Sequence, residues 1–310
     1  MREELPLLHP RPLTPGSTIG VCAPAGPIDE EALSAGIAWL ERAGYQVRCG
    51  SHLRARQGYL AGSDSQRLGD LLEFFRAPEV GGIVLARGGY GIARILRQVD
   101  PLEVREARKL VVGYSDATSL LLFLRRCAGL VSMHGPMLER PGLNPAARAR
   151  WLAMVRGQPG EREPLMGASF RGGRASGPLV GGNLTVLASS LGTPWEIDTR
   201  GAILFLEEVS EEPYAIDRLL VQLREAGKLC DALGVAVGQL VSCESERYLE
   251  PSACEVLRDI LAREVEGPIV DNFPFGHVVD HQALGYGVRA ELDGDQGTLV
   301  LLESVVEEAN

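Results

Sequence analysis

The strongest constraint on how this chain can fold is an alternation across its first 140 residues, in which short apolar runs are separated by stretches of helical periodicity. Ser17-Thr-Ile-Gly-Val-Cys-Ala23 reads as a first strand, closed by the turn Pro24-Ala-Gly26-Pro. Asp29-Glu-Glu-Ala-Leu then opens a helix with acidic residues in its first turn, where they answer the helix dipole, and Gly44 stops it. Tyr45-Gln-Val-Arg-Cys49 predicts a second strand, followed by a helix from about Ser63 to Phe75. Gly82-Ile-Val-Leu-Ala86 predicts a third, closed by Arg87-Gly88-Gly89-Tyr90-Gly91 and a helix through Leu96. Leu110-Val-Val112 and Leu130-Val-Ser-Met-His134 supply the fourth and fifth. Strands separated by helices need crossover connections, and these give an open parallel sheet with helices on both faces. Ligands in such sheets bind beyond the carboxyl ends of the strands, where Ser115 and the Gly88-Gly89 loop are expected to lie.

The rhythm breaks after Pro141, where Pro141, Pro145 and Pro159 surround an Arg-rich helix. We expect a linker over residues 141–160, joining a first domain of residues 1–140 to a second of residues 161–310. The second domain reads as a glycine-rich strand region (Arg174 to Gly181), a helix from Asn183, a strand Ala202-Ile-Leu-Phe-Leu206 and a helix from Pro213 to Ala226. A strand from Gly234 to Val241, a helix from about Pro251 to Glu264 and the strand Pro268-Ile-Val270 follow. A hairpin around Asp293-Gly294-Asp295 closes the chain, with Ala290-Glu-Leu and Thr298-Leu-Val-Leu-Leu302 as its arms. The whole is an α/β chain whose second half is rich in strands.

Composition narrows the partners. A net charge of -10 argues against nucleic acid or an anionic membrane, since both select basic surfaces. The six cysteines sit singly with no C-x-x-C pair, most of them inside apolar runs, so buried reduced thiols in a cytosol are expected. Met1-Arg-Glu-Glu-Leu-Pro6 has neither the basic nor the apolar region of an export signal, and no apolar run approaches the length of a bilayer span. A cytoplasmic location is the expectation.

Three places carry chemistry. In Lys109-Leu-Val-Val-Gly-Tyr-Ser115-Asp-Ala-Thr, a strand breaks at Gly113 and puts a serine where an amphipathic helical pattern begins. The first N–H groups of that helix lack intrahelical acceptors, so a hydroxyl and an anion site come together; the same spacing also serves ordinary helix capping. Glu207 and Glu208 end an apolar strand, where a solvated acidic pair is equally at home. Phe273-Pro-Phe275-Gly276-His277-Val-Val-Asp280-His281 puts a histidine just after a glycine. A serine needs a base to act as a nucleophile near neutral pH, and an imidazole needs a carboxylate on its other nitrogen; serine, acid and histidine in this chain order supply all three. Metal binding by His277, Asp280 and His281 would require a helix that Pro274 and Gly276 disfavour.

These residues carry a resemblance. Arg87-Gly-Gly-Tyr-Gly91, Val112-Gly-Tyr-Ser-Asp116, His134-Gly-Pro136, Gly181-Gly-Asn-Leu184, Leu204-Phe-Leu-Glu-Glu208 with Pro213-Tyr-Ala-Ile-Asp-Arg218, and Phe275-Gly-His277 together look like the LD-carboxypeptidase family. Gly58-Tyr-Leu-Ala-Gly-Ser-Asp64 extends the likeness over almost the whole chain. These serine peptidases are also called murein tetrapeptide carboxypeptidases. The resemblance implies Ser115 as nucleophile, His277 as base and Glu207 as the acid that orients it. Because neighbours on a strand face opposite ways, only one of Glu207 and Glu208 can reach His277. It further implies oxyanion donors in the backbone N–H of Asp116 and of a glycine in the 88–89 turn, taken as Gly89. The implied fold is an N-terminal flavodoxin-like sheet with a C-terminal β-rich domain. The implied substrate is a small peptide, a murein tetrapeptide that loses its terminal D-alanine during wall recycling, with paired subunits and without metal ions or another cofactor. A peptidase for peptidyl-nucleotides, in the manner of the microcin-immunity branch, and a non-catalytic small-ligand receptor are the rivals. An exopeptidase must also recognise the substrate's free carboxylate, and Arg87, in the loop after the third strand, is the candidate cation.

Overall fold

A computed structural model describes residues 5–139, 144–245, 247 and 251–308. Pro141 and its neighbours at 140–143, the start of the expected linker, lie outside the described residues. The chain divides into two compact units, one of residues 1–161, 283–285 and 304–310, the other of 162–282 and 286–303.

In the first unit the expected strands form as β1 (Thr18–Cys22), β2 (Gln46–Cys49), β3 (Val80–Leu85), β4 (Leu110–Gly113) and β5 (Ser132–His134). They lie in the order β2-β1-β3-β4-β5, every pairing among them parallel. That is the flavodoxin-like order, in which the sheet is wound outward from β1 in both directions. Ile19, Val21, Ile83, Val84, Val111 and Val112 are wholly buried, as strands covered on both faces require. The helices α1 (Glu30–Arg42) and α2 (Asp64–Arg76) begin at the caps Asp29 and Ser63, the latter in a reciprocal capping box with Gln66.

Three expectations need correction here. Residues 92–98 make only two single 3₁₀ turns; a true helix, α3 (Pro101–Ala107), starts later, where Asp100 caps it and proline occupies its first turn. Beyond Ser115, α4 (Thr118–Phe123) is buried on every side instead of amphipathic, and a π-helical turn at 124–128 continues it to Gly129. The Arg-rich helix of the expected linker, α5 (Pro145–Arg156), belongs to the first unit. Its Trp151 is fully buried and meets Trp39 of α1 edge-on at 5.0 Å, while Arg156 donates to the Tyr45 hydroxyl and the Ala43 carbonyl. Arg150 and Arg156 bond to the unit's own backbone, so a polar composition does not mark an exposed tether.

The second unit is built on an eight-stranded mixed sheet. Its short strands β6 (Leu165–Met166) and β7 (Ala168–Arg171) lead into β8 (Arg174–Asn183), then α6 (Leu184–Ser189), β9 (Ile203–Val209), α7 (Pro213–Glu225), β10 (Gly234–Val241), α8 (Ala253–Glu264) and β11 (Ile269–Asp271). β8, β9, β10 and β11 pair in parallel, joined by the three helices. The chain then passes through β12 (Leu284–Tyr286), which takes the place beside β5 in the first sheet. The hairpin of β13 (Arg289–Asp293) and β14 (Thr298–Leu301) returns to the second sheet, antiparallel to β8. Among the described residues, no helix is long and apolar enough to cross a membrane. Only Cys22 and Cys243 of the six free cysteines are buried, because Cys49, Cys230 and Cys254 fall at strand ends, turns and helix starts.

Candidate active site

In the first unit, β4 ends at Gly113 and the chain turns sharply into α4 through Ser115, whose φ of 62° lies in the left-handed region. A non-glycine residue held there stores strain that is common where a side chain must be presented at a tip. Two glycines let the backbone close around it. A Cβ at Gly113 would lie 2.8 Å from that of Ala117, and one at Gly88 would lie 2.9 Å from the Cβ and 3.0 Å from the Oγ of Ser115. The loop after β3 is therefore pressed against the serine by the absence of side chains.

That loop is held on both flanks. The Gly88 carbonyl accepts from the Gly26 N–H at 3.0 Å, and Gly89, with φ of 113°, passes close to Gly26. The Gly91 carbonyl accepts from Nη1 of the buried Arg67 at 2.9 Å; the same guanidinium also reaches the Pro24 carbonyl and Asp64. The Ile92 N–H donates to the Asp116 carboxylate at 2.9 Å. Burial pushes the Asp116 carboxyl up to about 6, although the backbone of Ile92, Arg67 and the backbone of Gly91 pull it back. Arg87 donates to the Pro27 carbonyl at 2.6 Å and faces Glu139 at 3.2 Å.

In the second unit, β9 runs past Leu206 and carries both glutamates inside the sheet, Glu207 fully buried and Glu208 only 2% exposed. Successive strand residues face opposite ways, and here each acid has a different partner. Glu207 Oε2 accepts from His277 Nδ1 at 2.7 Å. Glu208 accepts from Asn183 Nδ2, the Thr185 N–H and the Val209 N–H, and burial raises its carboxyl. Among the described residues, Glu207 Oε1 has no hydrogen-bond partner, so His277 is what this buried carboxylate holds.

A bulge brings His277 to that acid. In the β9–β10 pairing, Leu206 stands opposite Val237 and Glu208 opposite Leu240, so Gly238 and Gln239 together span the position of Glu207. The freed Gln239 N–H donates to the Phe275 carbonyl at 3.1 Å, and the Phe275 ring lies where a side chain at Gly238 would be. Gly276, with φ of 108°, then turns the chain, and a Cβ on it would meet the Glu207 Cβ at 2.9 Å and Oε2 at 3.0 Å. Residues 277–280 form bends and a turn, as Pro274 and Gly276 foretell; Asp280 is exposed and His281 buried. Among the described residues, no group of three or more His, Cys, Asp or Glu side chains is arranged to hold a metal ion.

The structure thus places Glu207 against His277 and places Ser115, Asp116, Gly89 and Arg87 together on one turn and one loop of the first unit. Sequence reasoning missed Arg67, which sits in the first turn of α2 with no motif to mark it, and the bulge, whose signal was a lone glycine inside a strand.

Residues 19–135 match the model of the LD-carboxypeptidase N-terminal domain and residues 176–292 that of the LD-carboxypeptidase C-terminal domain. A probable murein peptide carboxypeptidase of Bacillus subtilis is 39% identical, the alignment covering 97% of this chain and 96% of the relative. The crystal structure of muramoyltetrapeptide carboxypeptidase from Oxalobacter formigenes superposes with a TM-score of 0.81 at 30% identity, over 91% of this chain and 97% of that one. The structure of MccF in complex with glutamyl sulfamoyl guanosine shares the fold, with a TM-score of 0.87 at 21% identity over 97% of this chain and 100% of that one.

Proposed function

The chain belongs to the LD-carboxypeptidase family, and from that premise we propose that it is a serine carboxypeptidase which removes the terminal D-alanine of murein tetrapeptides. The observation that carries this reading is the buried Glu207–His277 hydrogen bond. A carboxylate on Nδ1 fixes the tautomer that leaves Nε2 as the base and stabilises the imidazolium once it forms. In this mechanism Nε2 takes the Ser115 proton as Oγ attacks the carbonyl carbon of the scissile amide. The negative charge that develops on the carbonyl oxygen is met by the N–H groups of Asp116 and Gly89. Collapse breaks the C–N bond, His277 gives its proton to the departing D-alanine, and water hydrolyses the acyl-serine by the same steps in reverse order. Arg87, whose guanidinium reaches the Pro27 carbonyl and Glu139, is in this reading the cation that meets the substrate's free carboxylate. The reading includes paired subunits, the cytoplasm as its place, and a part in wall recycling.

Purified protein incubated with a panel of muropeptides, with Ser115→Ala as control, tests it. D-alanine should be released from tetrapeptide, and the alanine variant should lose about 10³-fold or more in kcat, since a triad acts as a unit. More than a tenth of wild-type turnover in that variant would sink the mechanism. Preferential cleavage of an aminoacyl sulfamoyl nucleotide in the same panel would move the substrate to the immunity branch.

A further inference from the structure

We propose that the Asp116 side chain is the positioning residue of the oxyanion site, holding the Gly89 donor in place through its hydrogen bond to the loop that follows it. The inference rests on the reading of Ser115 as nucleophile. It adds a task for a carboxylate that takes no part in the proton transfers.

The glycine loop is fixed at three points, and Gly89 and Tyr90 span the interval between them. The Gly26 N–H holds the Gly88 carbonyl, Arg67 holds the Gly91 carbonyl, and the Asp116 carboxylate holds the Ile92 N–H. The first two anchors fix the loop to the β1 turn and to α2. Asp116 ties it to the elbow by a hydrogen bond, because its backbone follows Ser115 directly and its side chain reaches across to the loop. One residue therefore sets the relative position of both donors, its own N–H and that of Gly89. An oxyanion site works only if its donors are placed before charge develops, and a displacement of about 1 Å is enough to cost about 10² in rate.

A structural carboxylate is poorly suited to this location, which sharpens the inference. Asp116 is 5% exposed, and burial disfavours its charge. The cation acting on it is Arg67, which is shared with Asp64 and two carbonyls; Arg94, on the turn packed against α4, is paired with Asp64 instead. Asparagine would fill the same space without that penalty. The acid differs from asparagine in offering acceptors only, as a carboxylate facing two adjacent backbone N–H groups must. On protonation it loses that property, and the loop loses an anchor.

The test uses the full chain, with D-alanine release from tetrapeptide measured from about pH 5 to about pH 9. Asp116→Asn should lower kcat about tenfold at the upper end with KM within about twofold, since donors aimed at the transition state are displaced and ground-state binding is not. Its acid limb should also be shallower than that of the wild type, because one of two ionisations has been removed. Asp116→Ala should lose about 10² in kcat. Hydrogen exchange at residues 91–92 should be faster in Asp116→Ala than in the wild type at pH 8, where the carboxylate anchors the Ile92 N–H. Parallel pH profiles for wild type and Asp116→Asn, a rise in KM with kcat unchanged, or exchange at 91–92 that Asp116→Ala leaves as it is would each overturn the inference. If Ser115→Ala retains turnover, the serine mechanism itself has failed; if it is inert and Asp116→Asn behaves as wild type, only this inference has.

Discussion

Glu207 and Glu208 share a peptide bond and are both buried, yet they touch different things. Glu207 meets an imidazole, whereas Glu208 meets two backbone N–H groups and the Asn183 amide that caps α6. In the proposed mechanism Glu207→Gln removes the charge that stabilises the imidazolium, and kcat should fall by about 10³ to 10⁴. Glu208→Gln keeps an acceptor for its neighbours and removes a carboxylate that burial already disfavours, so its turnover should stay within about tenfold of wild type. Steady-state kinetics on both variants decide the matter, and the reverse order of damage would reassign the acid. Asp116 adds a stability consequence of opposite sign to the usual carboxylate. Its carboxyl is pushed up from 3.8 to about 6, so the stability it contributes is full below 3.8 and is lost as the pH rises through 6. A neutral asparagine escapes that loss, and Asp116→Asn should melt no lower than wild type at pH 8 while turning over more slowly, as in other trade-offs between stability and activity.

At the scale of elements, the glycine-led turn beside β9 is the most exacting. Gly276→Ala puts a Cβ against the side chain of Glu207 and asks an L-residue to hold φ of 108°. The strain is on the order of 1–3 kcal/mol. Both effects displace His277, so kcat should drop by about 10² or more with a lower melting temperature; kinetics within threefold of wild type would show that the turn can relax without moving the base. The parallel strands were legible because Ile19 to Cys22, Ile83 to Leu85 and Leu110 to Val112 are short uncharged runs, each with a glycine or proline within two residues of one end. The end of β9 was not, because two adjacent glutamates read as solvent-facing, and only the bulge at Gly238 and Gln239 shows how the sheet encloses them. Ser115 and His277 were visible as residues through the turn and glycine that precede them. The anchoring of the glycine loop was not, since Arg67, Asp116 and Ile92 are brought together by the winding of the sheet and by no local spacing.

At the scale of the molecule, the first unit is assembled from three separated stretches of chain. The Ala283 carbonyl accepts from Arg150 at 2.9 Å, Leu284 joins the sheet as part of β12, and Glu307 pairs with Arg108 while its N–H donates to the Pro10 carbonyl. Leu284, Val305 and Val306 are essentially fully buried, and side chains of this size contribute about 1.5–3 kcal/mol each. Their sum, about 5 kcal/mol or more, rivals the whole stability of an ordinary domain. A fragment of residues 1–161 should therefore show no cooperative melt, although it holds five of the sheet's six strands; a sharp calorimetric transition for it would count against this. Domains usually fold in the order in which they leave the ribosome, first half first. Here the sheet that carries Ser115 waits for residues 283–285 and 304–307, so His277 has been synthesised before the unit bearing Ser115 can close. A chain interrupted before residue 304 therefore leaves the unit that carries Ser115 unclosed, and the time at which that unit forms is set by residues 304–307 rather than by its first hundred and sixty.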